Sequence, residues 1–207
     1  TGKRLNRFLE RLTSGKVLVS DGATGTYLQT HGLEPGTCPE EFNASRPDVV
    51  EGMAKAHFDA GSDMVLTNTF GGSRFMQRKY GYEARVSEFN RLAAEQAKSQ
   101  APDSNHYAVG SIGPTGEFLE PLGAVSDSEM YDSMTEQITA LVEGGADAIL
   151  METQMAIEEA IIGVKAAKDN TDLPVIATMV FDKGPRGFFT MMGVTPEQAV
   201  TGLRGAG

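Results

Sequence analysis

The sequence has few of the residues that build disulfides, zinc sites, membrane spans or nucleic-acid surfaces. Its 207 residues include one cysteine, Cys38, and three histidines, so an internal disulfide is impossible and a full set of zinc ligands is lacking. No apolar run approaches the roughly 18 residues of a membrane span. The formal net charge is −10, which repels polyanions, and no cluster of lysine and arginine interleaved with aromatic residues offsets it. We therefore expect a globular, cytoplasmic protein that binds neither nucleic acid nor membranes.

What the sequence does have is a repeated phrase. Residues 61–69 read GSDMVLTNT, and residues 145–153, which begin 84 positions later, read GADAILMET. Each copy enters an apolar strand and ends in a polar pair, and the spacing fits two strand-helix units of about 40 residues each. A third copy is expected near Gly205, where the chain stops, so we expect the sequence to be cut at a unit boundary.

Apolar segments and helical patterns alternate along the chain, with no hairpin signal between them. Each of five predicted strands is followed by a helical pattern; the strands are residues 17–19, 64–66, 107–109, 148–151 and 175–180. Helix starts are predicted from capping residues and proline, namely Ser45 with Pro47, Ser87, Ser126 with Glu129, and Thr195 with Gln198. An opening helix is expected to place one apolar face against the fold, consisting of Leu5, Phe8, Leu9 and Leu12.

This order of elements predicts an α/β fold with a parallel sheet and right-handed crossovers. No glycine fingerprint of the GxGxxG or Walker type follows a strand, which argues against a dinucleotide-binding fold. We expect a parallel (β/α)8 fold of the TIM-barrel type that is incomplete, with about five βα units and a fifth strand buried on both faces. The edges of the first and fifth strands would lack partners, so either the barrel is open or something else covers them.

In barrels of this type the carboxyl ends of the strands form the active face. Polar residues converge there, whereas Asp63 and Asp147 are expected at the opposite end. Two carboxylates suit the ammonium group of an amino-acid zwitterion, and backbone N–H groups of the first glycine-rich loop suit its carboxylate. The predicted substrate-binding residues are Asp21, Gly22, Asn68, Thr69 and Glu152. No obvious nucleophile is among them, so no catalytic residue is assigned.

These side chains also have structural interpretations that the sequence leaves open. Asp21 could cap a turn before a glycine, and Asn68 and Thr69 could satisfy backbone groups at the end of a strand. Glu152 is the strongest ligand candidate, because an uncompensated carboxylate inside a barrel is costly to desolvate. The histidines are interpreted as structural, and Cys38 has no base near it in the sequence.

Four phrases in series resemble the homocysteine S-methyltransferase family, which includes the homocysteine module of cobalamin-dependent methionine synthase and betaine-homocysteine methyltransferase. They are DGATGT after the first strand, DMVLTNTF at the second, GSIGPTG at the third and ADAILMETQ at the fourth. The resemblance implies a (β/α)8 barrel that transfers a methyl group to the thiolate of homocysteine, held on zinc by cysteines of the later strands. It implies that Asp21, Gly22, Asn68, Thr69 and Glu152 hold the amino-acid end of homocysteine. It also implies a methyl-corrinoid protein as the methyl donor and partner.

The zinc-binding part of the family pattern is missing from these residues. The first zinc cysteine of the family follows the sixth strand and the other two adjoin the eighth. Cys38 instead lies in the loop after the first strand and matches none of them. We therefore expect residues 1–207 to be the N-terminal portion of a single barrel domain, which alone holds no catalytic zinc and has no methyltransferase activity.

Two further departures leave the methyl acceptor open. Thr24 stands where the family usually has methionine, and Thr67 stands where it commonly has glutamate. One alternative is a corrinoid-dependent methyltransferase that acts on another small methylated substrate, with the loops GEFLEPLG and GFFTMMG shaping its pocket. The other is a non-catalytic half-barrel that binds a small amino acid weakly or self-associates through its open strand edges.

Overall fold

The computed structural model describes residues 7–207, so Leu5 of the predicted opening helix lies outside the described residues. Helix α1, Arg7–Thr13, buries Phe8 edge-on against the ring of Tyr107, with the ring centroids 5.1 Å apart. Leu9 and Leu12 are 44% and 42% exposed. The predicted apolar face is therefore wrong for these two residues, because the short helix meets the sheet through Phe8.

Helices and short strands follow one another along the chain. Helices α2, α3 and α4 are Thr24–Thr30, Phe42–Ser45 and Pro47–Asp59, and strand β1 is Met64–Leu66. Helices α5 and α6, Arg74–Arg78 and Val86–Ser99, precede strand β2, Tyr107–Ile112, and helix α7, Asp127–Glu143. Strand β3, Ala148–Gln154, and helix α8, Ile157–Asn170, lead to strand β4, Val175–Met179. Strands β5, Asp182–Gly184, and β6, Gly187–Phe189, precede helix α9, Pro196–Ala206. None of the helices within residues 7–207 is long and apolar enough to cross a membrane.

Strands β1 to β4 form one parallel sheet in chain order. Val65 of β1 pairs with Ala108 of β2, and Ser111 of β2 pairs with Leu150 of β3, which in turn pairs with Ile176 of β4. Helices α6, α7 and α8 lie in the connections between these strands and pack against one another. Parallel neighbours joined through helices are the repeating unit of a barrel, so the α/β class and the incomplete barrel type are confirmed.

The main core lies between the sheet and helices α7 and α8. Met130, Met134 and Ile138 of α7 pack in one cluster with Ile149 and Met151 of β3, and all five are fully buried. Full burial of such a side chain contributes about 1.5–3 kcal/mol relative to exposure in water. This layer fixes β3, whose carboxyl end carries Glu152 of the predicted site.

The predicted first strand, residues 17–19, is wrong as a regular strand. Val17 and Val19 are 84% and 52% exposed, and the segment joins the sheet through a parallel bridge between Ser20 and Met64. The side chain of Asp63 replaces a ladder bond, since its Oδ2 accepts the N–H of Val19 at 2.9 Å. The segment lies beside β1, whose three residues are too few to hold it in regular strand geometry.

The predicted fifth strand is present as β4, but the expectation that both its faces are buried is wrong. Every residue of β4 is at least partly exposed, because β4 is the last strand of the sheet and, within the described part of the chain, pairs with β3 alone. The antiparallel pair of β5 and β6 contradicts the expected absence of hairpins. Its turn contains Pro185 and ends at Gly187, which has φ 121°. A proline followed shortly by a glycine was the available signal for this turn.

Most predicted helix starts are confirmed. Reciprocal capping boxes are present at the starts of α7 and α9, and Pro47 is the first residue of α4. The predicted capping role of Ser45 is wrong, because Ser45 ends α3 and the residue before Pro47 is Arg46. The predicted cap at Ser87 is wrong, because α6 begins one residue earlier, at Val86. A 3-10 helix at Glu83–Arg85 runs directly into α6, so the helix has no side-chain cap of the predicted kind.

The repeated phrase builds the same structure in both copies. Gly61 and Gly145 each end a helix in the left-handed region, with φ 103° and 89°, where glycine is favoured. Asp63 and Asp147 then stand immediately before β1 and β3, at the end of the sheet opposite the predicted site, as expected. Each carboxylate accepts a backbone N–H from the preceding strand segment at 2.9 Å. The phrase therefore ties neighbouring segments together at this end.

Candidate functional site

A cavity of about 360 Å³ opens at the carboxyl ends of β1, β2 and β3. The structure brings four of the five predicted substrate-binding residues to its wall, namely Gly22, Asn68, Thr69 and Glu152. The side chain of Asp21 stands outside this lining. The polar residues of the wall also include two that were not predicted, Glu40 and Ser111.

Glu152 reaches the cavity through an irregularity at the end of β3. The register of β3 against β4 shifts between Met151 and Gln154, and a bulge of this kind re-aims a side chain. Thr153 within the bulge has φ 56°, a conformation that costs a β-branched residue on the order of 1–3 kcal/mol. The Ser111 hydroxyl donates to Glu152 Oε2. The carboxylate is therefore held at the cavity wall.

Three buried hydroxyl residues join β1 to β2 beside the cavity. The N–H of Ser111 donates to Thr67 Oγ1 at 3.0 Å, and Thr69 Oγ1 donates to the Ser111 carbonyl at 2.7 Å. The Thr67 and Thr69 hydroxyl oxygens are 2.6 Å apart. Since the Thr69 hydrogen is used on the carbonyl, Thr67 is the donor of this pair. Thr69 therefore fixes the strand end, which supports its structural interpretation.

Asn68 is 4% exposed and directs its amide nitrogen into the protein. Its Nδ2 donates to the Pro39 carbonyl and to Asn43 Oδ1, both at 2.8 Å. Both amide hydrogens are thereby used, so the polar atom that Asn68 has left for a ligand is the acceptor Oδ1.

Asp21 binds to the protein itself. Its Oδ2 accepts the N–H of Leu66 at 2.9 Å, and its Oδ1 accepts the Ser20 hydroxyl at 3.0 Å. Burial raises the pKa of the carboxyl group, and the hydrogen bond from Leu66 opposes that rise. In this structure the carboxylate ties the first loop to β1, and Gly22 and Ala23 of this loop line the cavity.

Glu40 is a buried carboxylate in the cavity wall that sequence reasoning missed. It is 3% exposed. Its Oε1 accepts the N–H of Gly71 at 2.7 Å, and its Oε2 accepts Gln77 Nε2 at 3.1 Å and the Cys38 thiol at 3.3 Å. Three donors compensate for burial of the charge. The available signal was the proline that starts the 3-10 helix Pro39–Glu41, but adjacent glutamates in a loop are typical of a solvated surface.

Cys38 is a hydrogen-bond donor in this structure. Burial, reinforced by the nearby Glu40 carboxylate, raises the pKa of its thiol to about 12. Zinc binds the thiolate, so a thiol that keeps its proton is a poor ligand. Within residues 7–207, no group of three or more His, Cys, Asp or Glu side chains could hold a metal ion. The residues present therefore do not fit the zinc site that the family resemblance implies.

The cavity carries negative charge. Its charged lining side chains, in the part of the chain that the structure describes, are the carboxylates Glu40 and Glu152. Such a wall favours a cationic group. Residues 22–25 also line the cavity, and backbone N–H groups of a glycine-rich loop suit an anionic group. Together these walls can accept a small zwitterion.

The fold and the cavity define an α/β chain of the barrel type with a small-molecule pocket at its strand ends. The sequence profile of the homocysteine S-methyltransferases matches residues 18–207. The chain belongs to the homocysteine S-methyltransferase family.

Two relatives are methionine synthases of mycobacteria. The chain is 35% identical to that of Mycobacterium tuberculosis and 34% identical to that of Mycobacterium leprae. The matches cover 79% and 73% of this chain, but 15% and 14% of those relatives. The chain thus spans a small part of the length of the curated relatives it matches.

The fold is similar to solved structures of the homocysteine methyltransferase MmuM from Escherichia coli. The metallated form has a TM-score of 0.80 at 18% identity, covering 96% of this chain and 74% of that chain. The apo form has a TM-score of 0.74 at 17% identity, covering 97% and 72%. These likenesses concern the fold, and they agree with the incomplete barrel described above.

Proposed function

We propose that the cavity binds the amino-acid end of L-homocysteine, and that residues 1–207 are the N-terminal portion of a single homocysteine S-methyltransferase barrel domain. The observation that carries the proposal is Glu152, a carboxylate held by Ser111 in the strand-end cavity of a chain of this family. The domain assignment is supported by coverage, since the similarity takes in 96% of this chain but 74% of the Escherichia coli structure.

The two charged ends of the amino acid meet complementary groups in this proposal. The ammonium group binds the carboxylate of Glu152, which also accepts a hydrogen bond from the Ser111 hydroxyl. The oxygens of Glu40 already accept three hydrogen bonds from the protein. Glu40 therefore attracts the ammonium group through its negative charge and does not bind it directly. The substrate carboxylate binds backbone N–H groups of residues 22–25 in the same cavity.

In the complete protein we propose transfer of a methyl group to the homocysteine thiolate by in-line displacement. A sulfur lone pair forms the new S–C bond while the bonding pair of the methyl group stays with its donor. Residues 7–207 contribute binding and orientation of the acceptor, and zinc in this family would need ligands from elsewhere. Residues 1–207 alone are therefore expected to lack methyltransferase activity.

A methyl-corrinoid protein is the partner that we propose as methyl donor. The support is the similarity to two methionine synthases, of which this chain matches 15% and 14%. Mixing the complete protein with methylcobalamin and L-homocysteine tests this part, and formation of methionine is the expected result. Methionine formed from a sulfonium or betaine donor, with none from methylcobalamin, would contradict it.

Titration calorimetry of residues 1–207 with L-homocysteine tests the binding site. Glu152→Gln is expected to weaken binding roughly tenfold to a hundredfold, because it replaces a charge-assisted hydrogen bond by a neutral one. Glu143→Gln makes the same chemical change at an exposed position near the end of α7 and should leave the affinity unchanged. A chain that does not bind L-homocysteine at millimolar concentrations, or equal affinities for the two variants, would contradict the proposal.

A second candidate acceptor is another small methylated compound of a corrinoid-dependent system. Thr24 and Thr67, the two departures from the family pattern, both line the cavity, so they change the surface that the acceptor meets. The same titration with trimethylamine separates the candidates. Tighter binding of trimethylamine than of L-homocysteine would favour this second function.

A further inference from the structure

The loop that follows β1, residues 68–72, supplies part of the cavity wall, and we call it the site loop. Each of its five carbonyl oxygens accepts a hydrogen bond. The Phe70 carbonyl accepts the N–H of Gly113 at 2.9 Å. The other four accept buried side-chain amides at 2.8 or 2.9 Å, from Asn43 to Asn68, Gln137 to Thr69, Gln77 to Gly71 and Asn90 to Gly72.

The four amide side chains come from four different helices, α3, α5, α6 and α7. Each of these residues is at most 1% exposed. Gln137 lies 68 positions from Thr69 in the sequence, so the convergence on one loop is a property of the fold. Amide side chains are seldom buried this completely unless they satisfy hydrogen bonds. Their common target is the backbone of the site loop.

The amides also pack directly against the loop. A Cβ atom at Gly72 would lie 2.5 Å from Asn90 Oδ1 and 2.7 Å from Gln137 Nε2, which leaves no room for a side chain. Both amides give their nitrogen to the loop. Among the described residues, Asn90 Oδ1 and Gln137 Oε1 are buried without a hydrogen-bond partner. Buried oxygens without a donor lower the stability of the fold. Such a cost is expected where a functional site requires the arrangement.

We infer that Asn43, Gln77, Asn90 and Gln137 are positioning residues that keep the site loop in one preformed conformation, so that the ligand binds without rearrangement. The inference rests on the proposed function for the identity of the ligand, and on the hydrogen bonds alone for the conformation of the loop. A preformed loop strengthens binding, because no backbone has to be ordered when the ligand arrives.

Gln137→Met tests the conformation of the loop, since methionine has nearly the shape of glutamine but no donor. The readout is the rate of hydrogen exchange of the Gly72 amide, measured by NMR. This amide donates to the Thr69 carbonyl at 2.9 Å. We expect it to exchange roughly tenfold faster in the variant, relative to amides of β3 that exchange by global unfolding. Ile138→Val is the control, because it changes a fully buried neighbour on the same helix that lies outside the loop contacts.

The affinity for L-homocysteine is the second readout. Gln137→Met is expected to weaken binding about tenfold, while Ile138→Val leaves it unchanged. Equal exchange of Gly72 in the two variants, after correction for global stability, overturns the inference whether or not homocysteine binds. Faster exchange with unchanged affinity also overturns it, because the loop would then be supported without affecting the site. If the unsubstituted chain does not bind homocysteine, the proposed function falls and exchange of Gly72 still decides whether the amides fix the loop.

Discussion

Cys38 and Glu40 form a buried donor-acceptor pair, of which Glu40 lines the cavity. The thiol lies 3.3 Å from Glu40 Oε2 and 3.3 Å from Gln77 Oε1, and both of these oxygens are acceptors for its hydrogen. A thiolate would stand beside a carboxylate at a position that is 4% exposed. Burial is the largest cause of the raised pKa, and the Glu40 charge is the next. At neutral pH Cys38 is therefore a structural donor and a poor nucleophile.

The contribution of Cys38 to stability should disappear in alkaline solution. Its folded pKa of about 12 lies above the ordinary value of 9.0, so the unfolded chain loses the proton first. The contribution is fully present below about pH 9 and falls as pH rises toward 12, by up to about 1.4 kcal/mol per pH unit. Urea unfolding of the unsubstituted chain and of Cys38→Ser measures it, since serine keeps a donor that does not titrate. Parallel dependences of the two unfolding free energies on pH would contradict the prediction.

The predictability of the site differs from residue to residue. Thr69 and Glu152 stand within three residues of the end of an apolar segment, and the period of the chain places such positions at one face of a barrel. Ser111 also follows a predicted strand, but its hydrogen bond to Glu152, 41 positions away, leaves no local signal. The role of Asp21 depends on the N–H of Leu66, 45 positions away. Contacts at this separation are made by the fold, so local patterns cannot indicate them.

The two copies of the glycine-aspartate phrase make the same joint between a helix and the next strand. Arg11 lies 3.4 Å from Asp63, and Lys98 lies 2.8 Å from Asp147, so each carboxylate has a basic partner as well as a backbone N–H. The Lys98 side chain is 39% exposed, and exposed ion pairs contribute about 0–1 kcal/mol. The bond to the backbone is therefore the main contribution of the second joint.

Substitutions at the second joint separate the two contributions. Asp147→Ala should lower the free energy of unfolding by about 1–3 kcal/mol, because it leaves the N–H of Ala108, a fully buried residue, without its acceptor. Asp147→Asn should cost less, since the amide oxygen still accepts. Lys98→Met is the matched control and should cost less than about 1 kcal/mol. Urea unfolding that gives equal losses for Lys98→Met and Asp147→Ala would assign the stabilisation to the ion pair instead.

Elements with local boundary signals were predictable, and elements defined by distant neighbours were not. Helices α7 and α9 begin at capping boxes whose partners lie three positions apart, so the local sequence is enough to predict where they start. Residues 17–19 have the composition of a strand, but strand formation depends on neighbours at both edges. The same dependence explains the exposure of β4, which is the edge strand of the sheet in residues 7–207.

Among residues 7–207, the sheet has two open sides. On one side lie residues 17–19, with Val17 84% exposed, and on the other lies β4, the last strand of the sheet, which pairs with β3. Apolar strand edges of this kind favour pairing with another chain. The formal net charge of −10 opposes association of identical chains. Salt weakens that repulsion, since the screening length falls from about 10 Å at 0.1 M to about 3 Å at 1 M, and it leaves the apolar contacts in place.

We therefore expect residues 1–207 to self-associate reversibly, with the average mass rising over a roughly hundredfold range of protein concentration. The association should be stronger at 1 M than at 0.1 M salt. Analytical ultracentrifugation measures the mass. Val17→Lys should shift the chain to monomer, because Val17 is 84% exposed and a lysine on a strand edge blocks pairing without disturbing the core. Thr26→Lys makes an equal charge change at an exposed position of α2 and should associate like the unsubstituted chain. A monomer at every concentration and both salt levels, or equal association of the two lysine variants, would contradict pairing through the open edges.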